Sequence, residues 1–392
     1  MPQKKILFIT CEFYWGGAQK SFLKVLHEVA KNYECFIAVF DAGGQSAYQN
    51  IKIFSLDHKQ NVKMNKVSRF MSRVRELKRL KRQLQITHSI SFMDGADVLN
   101  ILSRQRGEKI ITSVRASIEF NDAYADSMIS NLRRKYLFPV IYKKADNVVA
   151  VSKAIKAELV KNYRLNADKV VPIYNFYDPD EYVRRKEEPI PEPVMRLFET
   201  RKTITAVGRL DKQKNFLNLV QVFAACKALA TDLVLLIIGT GEDLPQLVSE
   251  CHKLNLKVHS YEDEPVTDYA SFDVLLLGYE ENPHKYVARS TIFVLPSKWE
   301  GFPNALAEAM LVGATCISAD CPTGPSEIIT NGEDGILLPV PVSSSTHQQW
   351  VETILGICNG NINAKRFGSN AMQKMKSFSK INIVPQWMNL LK

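Results

Sequence analysis

The sequence predicts an α/β protein of two Rossmann-like, doubly wound units facing each other, followed by C-terminal helices. Three observations carry this. Short apolar runs alternate with helix-periodic segments along the 392 residues. The alternation breaks once, across 176–202, where Pro179, Pro189, Pro191 and Pro193 stand among charged residues and read as a linker. Several apolar runs end in glycine-bearing loops that open straight into helical patterns, the place where such sheets hold ligands. The expected divisions are a first unit at 1–175, the linker at 176–202, a second unit at 203–363, and terminal helices at 364–392 packing back toward the first unit.

In the first unit the strand signals are Ile6–Ile9, Cys35–Phe40, Ile51–Leu56, Thr87–Phe92, Ile110–Val114, Asn147–Val151 and Val170–Tyr174. Helical patterns at Ala18–Lys31, Lys66–Leu84, Ile129–Lys144 and Lys153–Tyr163 separate most of them. The second unit repeats the alternation with Thr203–Val207, Leu233–Ile238, Val274–Leu277, Ile292–Leu295, Thr315–Ala319 and Gly335–Pro339. Parallel strands with helical crossovers on both faces follow from this order. The acidic stretch 259–268 interrupts a helix-to-strand connection and reads as a surface insertion.

Composition narrows the function. With 46% hydrophobic and 23% charged residues the chain is globular. No apolar run approaches the roughly 18 residues of a membrane span, and the N-terminus reads as a first strand and not as a signal peptide. Seven scattered cysteines without a C-x-x-C pair suggest core residues in a reducing, cytoplasmic compartment. The seven histidines form no metal-binding spacing. The net charge is +10, and all of the excess lies in the first half: residues 1–180 hold 30 Lys/Arg and 17 Asp/Glu, a balance of +13. Its densest part, Lys63 to Arg82, carries apolar residues at helical spacing and reads as a basic amphipathic helix. It reads either as a solvated outer helix face or as a surface for an anionic partner, a membrane or a diphosphate-linked lipid. Nucleic acid does not fit it, because aromatic interleaving and a recognised motif are both missing.

The most informative stretch is Glu300-Gly-Phe-Pro-Asn-Ala-Leu-Ala-Glu308. It follows an apolar strand, and Pro303 stands where a first helical residue should be. Glu300 therefore falls on the loop and Glu308 on the helix, with free backbone N–H groups between them that favour an anion. Gly208-Arg209-Leu210-Asp211-Lys212-Gln213-Lys214 follows the first strand of the second unit and offers two cations to one pyrophosphate. Gly239 and Gly241 form a close-approach turn after the next strand. Tyr279 and Lys285 lie on a further loop that could offer groups to a base. Gly16 and Gly17 open a helix after the first strand without the G-x-G-x-x-G of a dinucleotide fingerprint.

Taken together these motifs resemble the GT-B glycosyltransferases, and within them the retaining glycosyltransferase family four, over essentially the whole chain. Val149-Ala-Val-Ser152 and Asp320-Cys-Pro-Thr-Gly-Pro-Ser-Glu-Ile328 add to the resemblance. It implies transfer of a hexose or N-acetylhexosamine from a UDP-sugar donor, with no cofactor and no metal. The acceptor would be a glycan, lipid-linked (for example to a polyprenyl diphosphate) or part of a surface polysaccharide. It further implies that Arg209 and Lys214 hold the donor diphosphate, Glu308 the ribose hydroxyls and Glu300 the sugar hydroxyls. Amides near Phe302, Asn304 and Ala305 would cap phosphate and sugar, Gly16 and Gly17 would approach the β-phosphate, and Tyr279 and Lys285 would lie near the base. Arg115 stands where many members carry a histidine; it can donate to sugar or phosphate but is a poor base at neutral pH. A sugar-nucleotide-binding subunit without catalysis, or an epimerase on the same fold, are the rival readings. The enzyme would act in the cytoplasm, peripheral on the inner face of the plasma membrane.

Overall fold

The computed structural model describes residues 4–11, 16–43, 47–57, 65–120 and 132–392. They form two compact units, Met1–Phe176 with Lys380–Lys392, and Tyr177–Ser379. Unit one holds β1 (Lys5–Thr10), β2 (Glu34–Val39), β3 (Ala47–Tyr48), β4 (Ile51–Ser55), β5 (His88–Phe92), β6 (Lys109–Val114), β7 (Asn147–Ala150) and β8 (Val170–Pro172). Their order across the sheet is β3-β4-β2-β1-β5-β6-β7-β8, parallel except for the short β3–β4 pair. Unit two holds β9 (Lys202–Val207), β10 (Leu233–Ile238), β11 (Val258–Ser260), β12 (Val274–Gly278), β13 (Ile292–Leu295), β14 (Cys316–Ala319) and β15 (Ile336–Leu338). Their order is β11-β12-β10-β9-β13-β14-β15.

This order positions the site. The chain winds outward from β9 through β10 and β12, then returns to lay β13 on the other side of β9. The strand order thus reverses between β9 and β13, and the loops leaving those two carboxyl ends line the crevice where doubly wound sheets bind ligands. Unit one has the same reversal between β1 and β5. Apolar strands buried on both faces supply the cores: all six residues of β10, Leu233–Ile238, are buried.

Three expectations need correction. The stretch 176–202 is no linker. It forms helices Pro179–Lys186 and Glu192–Thr200, and Val194 and Leu197 of the second pack on Val234 and Leu236 of β10. Pro179, Pro191 and Pro193 mark helix starts, where a missing N–H costs nothing. Within 259–268, His259 and Ser260 belong to the edge strand β11, and the His259 ring lies 5.2 Å from both Tyr269 and Phe272. Only the residues beyond them run over the surface. Asp94–Leu102 forms a further helix, absent from the helical patterns above. Of the helical pattern 129–144, residues 132–144 are described, and they include a π turn Arg133–Leu137 and a helix Phe138–Lys143. The terminal residues divide: helix Phe367–Met375 belongs to unit two, and helix Lys380–Leu390 to unit one, where Trp387 stacks on Phe92 at 5.9 Å.

Candidate active site

In unit two the loops after β9 and β13 are tied to each other by main-chain and amide hydrogen bonds. The Lys298 amide donates to the Gln213 carbonyl at 2.9 Å, and Gln213 Nε2 donates to the Trp299 carbonyl at 2.9 Å. Asn215, buried and left-handed at φ 60°, donates from Nδ2 to the carbonyls of Pro296 and Pro341 at 3.1 and 3.2 Å. Asparagine tolerates that conformation better than most residues. These ties fix the separation of the two charged groups that the loops carry. Lys214 Nζ donates to Glu300 Oε1 at 2.6 Å, with the two side chains only 13% and 6% exposed. Arg209 stands at the mouth with its side chain 71% exposed, 3.1 Å from Asp211.

Glu300 is held from behind as well, since the Thr323 hydroxyl donates to its carbonyl. Thr323 precedes Gly324, whose φ of +97° and whose missing Cβ, which would lie 2.7 Å from Pro303 Cδ, make glycine necessary. Burial, and then the Glu300 charge, push the neighbouring Cys321 thiol up to about 12, so it stays protonated and inert.

Helix Asn304–Leu311 starts at this wall, with Pro303 at the N-cap position, one residue before the first-helical place expected for it. Two tyrosines fix its polar face. Tyr177 donates to Asn304 Oδ1 at 2.7 Å, and Tyr182 to Glu308 Oε1 at 3.3 Å. Their rings meet edge to face at 5.8 Å, and the Tyr182 ring also meets His284 at 4.9 Å. Burial, followed by the Glu308 charge, raises the Tyr182 hydroxyl well above its usual range, so it remains a donor. Neither tyrosine was singled out in the sequence, because both sit in the stretch read as linker.

Other expected positions fall differently. A Cβ at Gly239 (φ +146°) would lie 1.9 Å from the Gly208 carbonyl oxygen, so this glycine serves the approach of two chain segments within the protein. Gly241 does the same toward the Leu210 carbonyl at 2.3 Å. Tyr279 is 56% exposed, whereas Lys285 lies 3.9 Å from Glu280 and over the Tyr286 ring at 5.2 Å. Phe302 is buried against Phe378, their rings 5.6 Å apart, and Ala305 is half-buried.

Unit one has its own polar cluster at the carboxyl edge. Arg115, after β6, donates to Asn175 Oδ1 and, at 3.4 Å, to the Ser113 hydroxyl. Ser21, in the first turns of helix Gly17–Ala30, donates to the same Asn175 oxygen at 2.9 Å. Gly16 is extended at its N-cap, and Gly17 is its first residue. Asn175, unsignalled in the sequence, is what joins Arg115 to that helix.

The Lys66–Leu84 helix forms over the bounds its periodicity predicts. Lys63 lies outside the described residues. Its positive face is smaller than a count of cations suggests. Lys81 is buried in an ion pair with Glu108 at 2.8 Å, its ammonium drawn down to about 8 by burial. Arg73 binds Asp57, and Arg79 binds Glu76.

Two family descriptions match the chain, one for each half: Glycosyltransferase Family 4 over residues 15–181 and Glycosyl transferases group 1 over residues 192–374. The chain belongs to the family-four glycosyltransferases. This glycosyltransferase is 29% identical to an N-acetylgalactosamine-N,N'-diacetylbacillosaminyl-diphospho-undecaprenol 4-alpha-N-acetylgalactosaminyltransferase of Campylobacter jejuni, across 78% of this chain and 76% of that protein. A second relative from the same organism, a GalNAc-alpha-(1->4)-GalNAc-alpha-(1->3)-diNAcBac-PP-undecaprenol alpha-1,4-N-acetyl-D-galactosaminyltransferase, is 24% identical across 99% of this chain and 98% of its own. Among solved structures, Anabaena HepE in complex with UDP-glucose superposes with a TM-score of 0.76 at 17% identity over 99% of both chains. The fold is GT-B. No helix among the described residues is long and apolar enough to cross a membrane.

Proposed function

We propose that this glycosyltransferase moves a hexose or N-acetylhexosamine from a UDP-sugar to a lipid-linked glycan acceptor with retention of anomeric configuration and without a metal. The observation that carries the reading is the buried Lys214–Glu300 pair at 2.6 Å beside the start of helix Asn304–Leu311. A diphosphate held by Lys214, Arg209 and the N–H groups at the start of that helix places the attached sugar's hydroxyls at Glu300. Glu308, oriented by Tyr182, takes the ribose hydroxyls. As the anomeric carbon–oxygen bond breaks, negative charge grows on the diphosphate, where these donors meet it without reorganising. The acceptor hydroxyl then bonds to the anomeric carbon from the same face and gives its proton to a departing diphosphate oxygen. Arg115, at neutral pH a donor only, orients sugar or phosphate on the acceptor side.

The donor assignment draws on the UDP-glucose complex of the structural neighbour, and the acceptor on the undecaprenol-linked substrates named for the two Campylobacter relatives. The basic helix Lys66–Leu84 adds an anionic membrane surface as the place of work. The test is a donor panel in the presence of a chelator, with products read by mass spectrometry and anomeric configuration by NMR. An α-linked product from a UDP-α-sugar is expected. Transfer that stops with the chelator, or an inverted product, would overturn the mechanism.

A further inference from the structure

Helices Lys66–Leu84, Asp94–Leu102 and Phe138–Lys143 lie side by side on one face of the unit-one sheet, the middle one touching both others. Each is a crossover between parallel strands and therefore runs against them, so its N-terminal end lies at the carboxyl edge, the edge from which Arg115 projects. Both outer segments leave large apolar side chains in solvent toward that edge. Val67 and Met71 are 73% and 43% exposed on the first, and Leu132, Tyr136, Leu137 and Val140 are 61%, 58%, 40% and 54% exposed on the second. Single exposed apolar residues are ordinary, but four within nine positions are not.

The residues around these tips say what covers them. Residues 132–144 contain five lysines and arginines, two of them the Lys143–Lys144 step at the end of the helix, with no acid in the run. The Lys135 ammonium lies 5.4 Å from the Tyr136 ring centre, and exposed Lys66, Arg75 and Lys78 accompany Val67 and Met71. Protein-binding surfaces are depleted of lysine, whereas an apolar tip with an aromatic ring in a lysine collar matches the boundary of an anionic leaflet.

We propose that Val67 and Met71 on one helix, with Leu132, Tyr136, Leu137 and Val140 at and just before the start of the other, form a two-point insertion edge for an anionic phospholipid leaflet, at the edge of the sheet that carries Arg115. This rests on the reading of a lipid-linked acceptor and adds to it: the basic helix supplies attraction, and the two apolar tips supply insertion. The test is flotation of the full-length protein with phosphatidylcholine vesicles with and without phosphatidylglycerol. Tyr136→Asp with Val140→Asp, or Val67→Asp with Met71→Asp, should each lower partition into the anionic vesicles roughly tenfold to a hundredfold. All four side chains are exposed, so thermal midpoint and transfer to a water-soluble acceptor should stay unchanged. Unchanged partition for both double variants overturns the proposal. So does concentration-dependent self-association that the substitutions abolish, which would assign the tips to a second copy. Failure of the transferase reading shows separately, as absence of transfer to a soluble acceptor by an unaltered chain that still floats.

Discussion

Replacing Lys214 by Ala separates what the buried pair does for the fold from what it does for transfer. The Lys214 ammonium lies 2.6 Å from Glu300 Oε1, and the Glu300 side chain is 6% exposed. At an effective dielectric of about 20, two unit charges at that distance attract by roughly 6 kcal/mol, most of it offset by desolvation of both groups. Removing the lysine alone leaves the buried Glu300 carboxylate without the ammonium it pairs with, at a cost of about 3 to 5 kcal/mol. Adding Glu300→Gln removes that stranded charge and should recover most of the loss. Transfer behaves in the opposite way. The single variant loses the donor-side cation, about a hundredfold to a thousandfold in turnover, and the double variant recovers none of it. Denaturant unfolding followed through hydrogen exchange of β9 and β13 amides reads unit two by itself, which matters because a two-unit chain need not unfold in one step. A Lys214→Ala protein that loses under 1 kcal/mol and keeps near-full turnover refutes the reasoning. So does a double variant whose turnover returns with its stability.

Tyr182→Phe deletes the donor that holds Glu308 at 3.3 Å while keeping the ring against Tyr177 and His284. Donor KM should rise roughly threefold to tenfold, kcat should change little, and stability should fall by about 1 kcal/mol; an unchanged KM would remove Tyr182 from the site. His88, at the start of β5, is held down to about 4 from an ordinary 6.5 by burial and by the charges of Lys4 and Lys109. Between those two values the unfolded chain binds a proton that the folded chain does not, so stability rises with pH through the window and is lost on acidification. The full shift corresponds to roughly 3 kcal/mol, reduced to about 2 by solvent screening. Stability measured from pH 6.5 down to 4 should fall by that much more in the parent than in His88→Gln, and parallel curves count against it.

The fold was legible because buried parallel strands write themselves as uninterrupted apolar runs. Ile292–Leu295 and Leu233–Ile238 have the same limits in sequence and structure. What escaped notice had weak or ambiguous local signals. Pro179, Pro191 and Pro193 mean the same to a linker as to a helix start, and only the packing of Val194 and Leu197 on β10 distinguishes the two. Strand β11, three residues long at a sheet edge, has too few positions to show a period. The glycines were half legible. Close approach at Gly239 was readable, but the segment it approaches within the protein, at the Gly208 carbonyl, was not.

Among the site residues, those that carry charge were legible and those that place them were not. Glu300, Lys214, Arg209 and Glu308 stand out as charges on loops and a helix start that follow strands. Asn215, Gln213, Thr323, Tyr177, Tyr182 and Asn175 bear no charge, and their hydrogen bonds run to partners far along the chain, such as Asn215 to the Pro296 and Pro341 carbonyls. A pattern confined to neighbouring positions cannot register them. Yet they decide the chemistry. Two long side chains on separate loops lose much rotamer freedom on pairing, so an ion pair alone would not hold Lys214 and Glu300 within hydrogen-bond distance. The amide ties between the loops of β9 and β13 set the backbone first, and the topological reversal between those strands is what brings the two loops together.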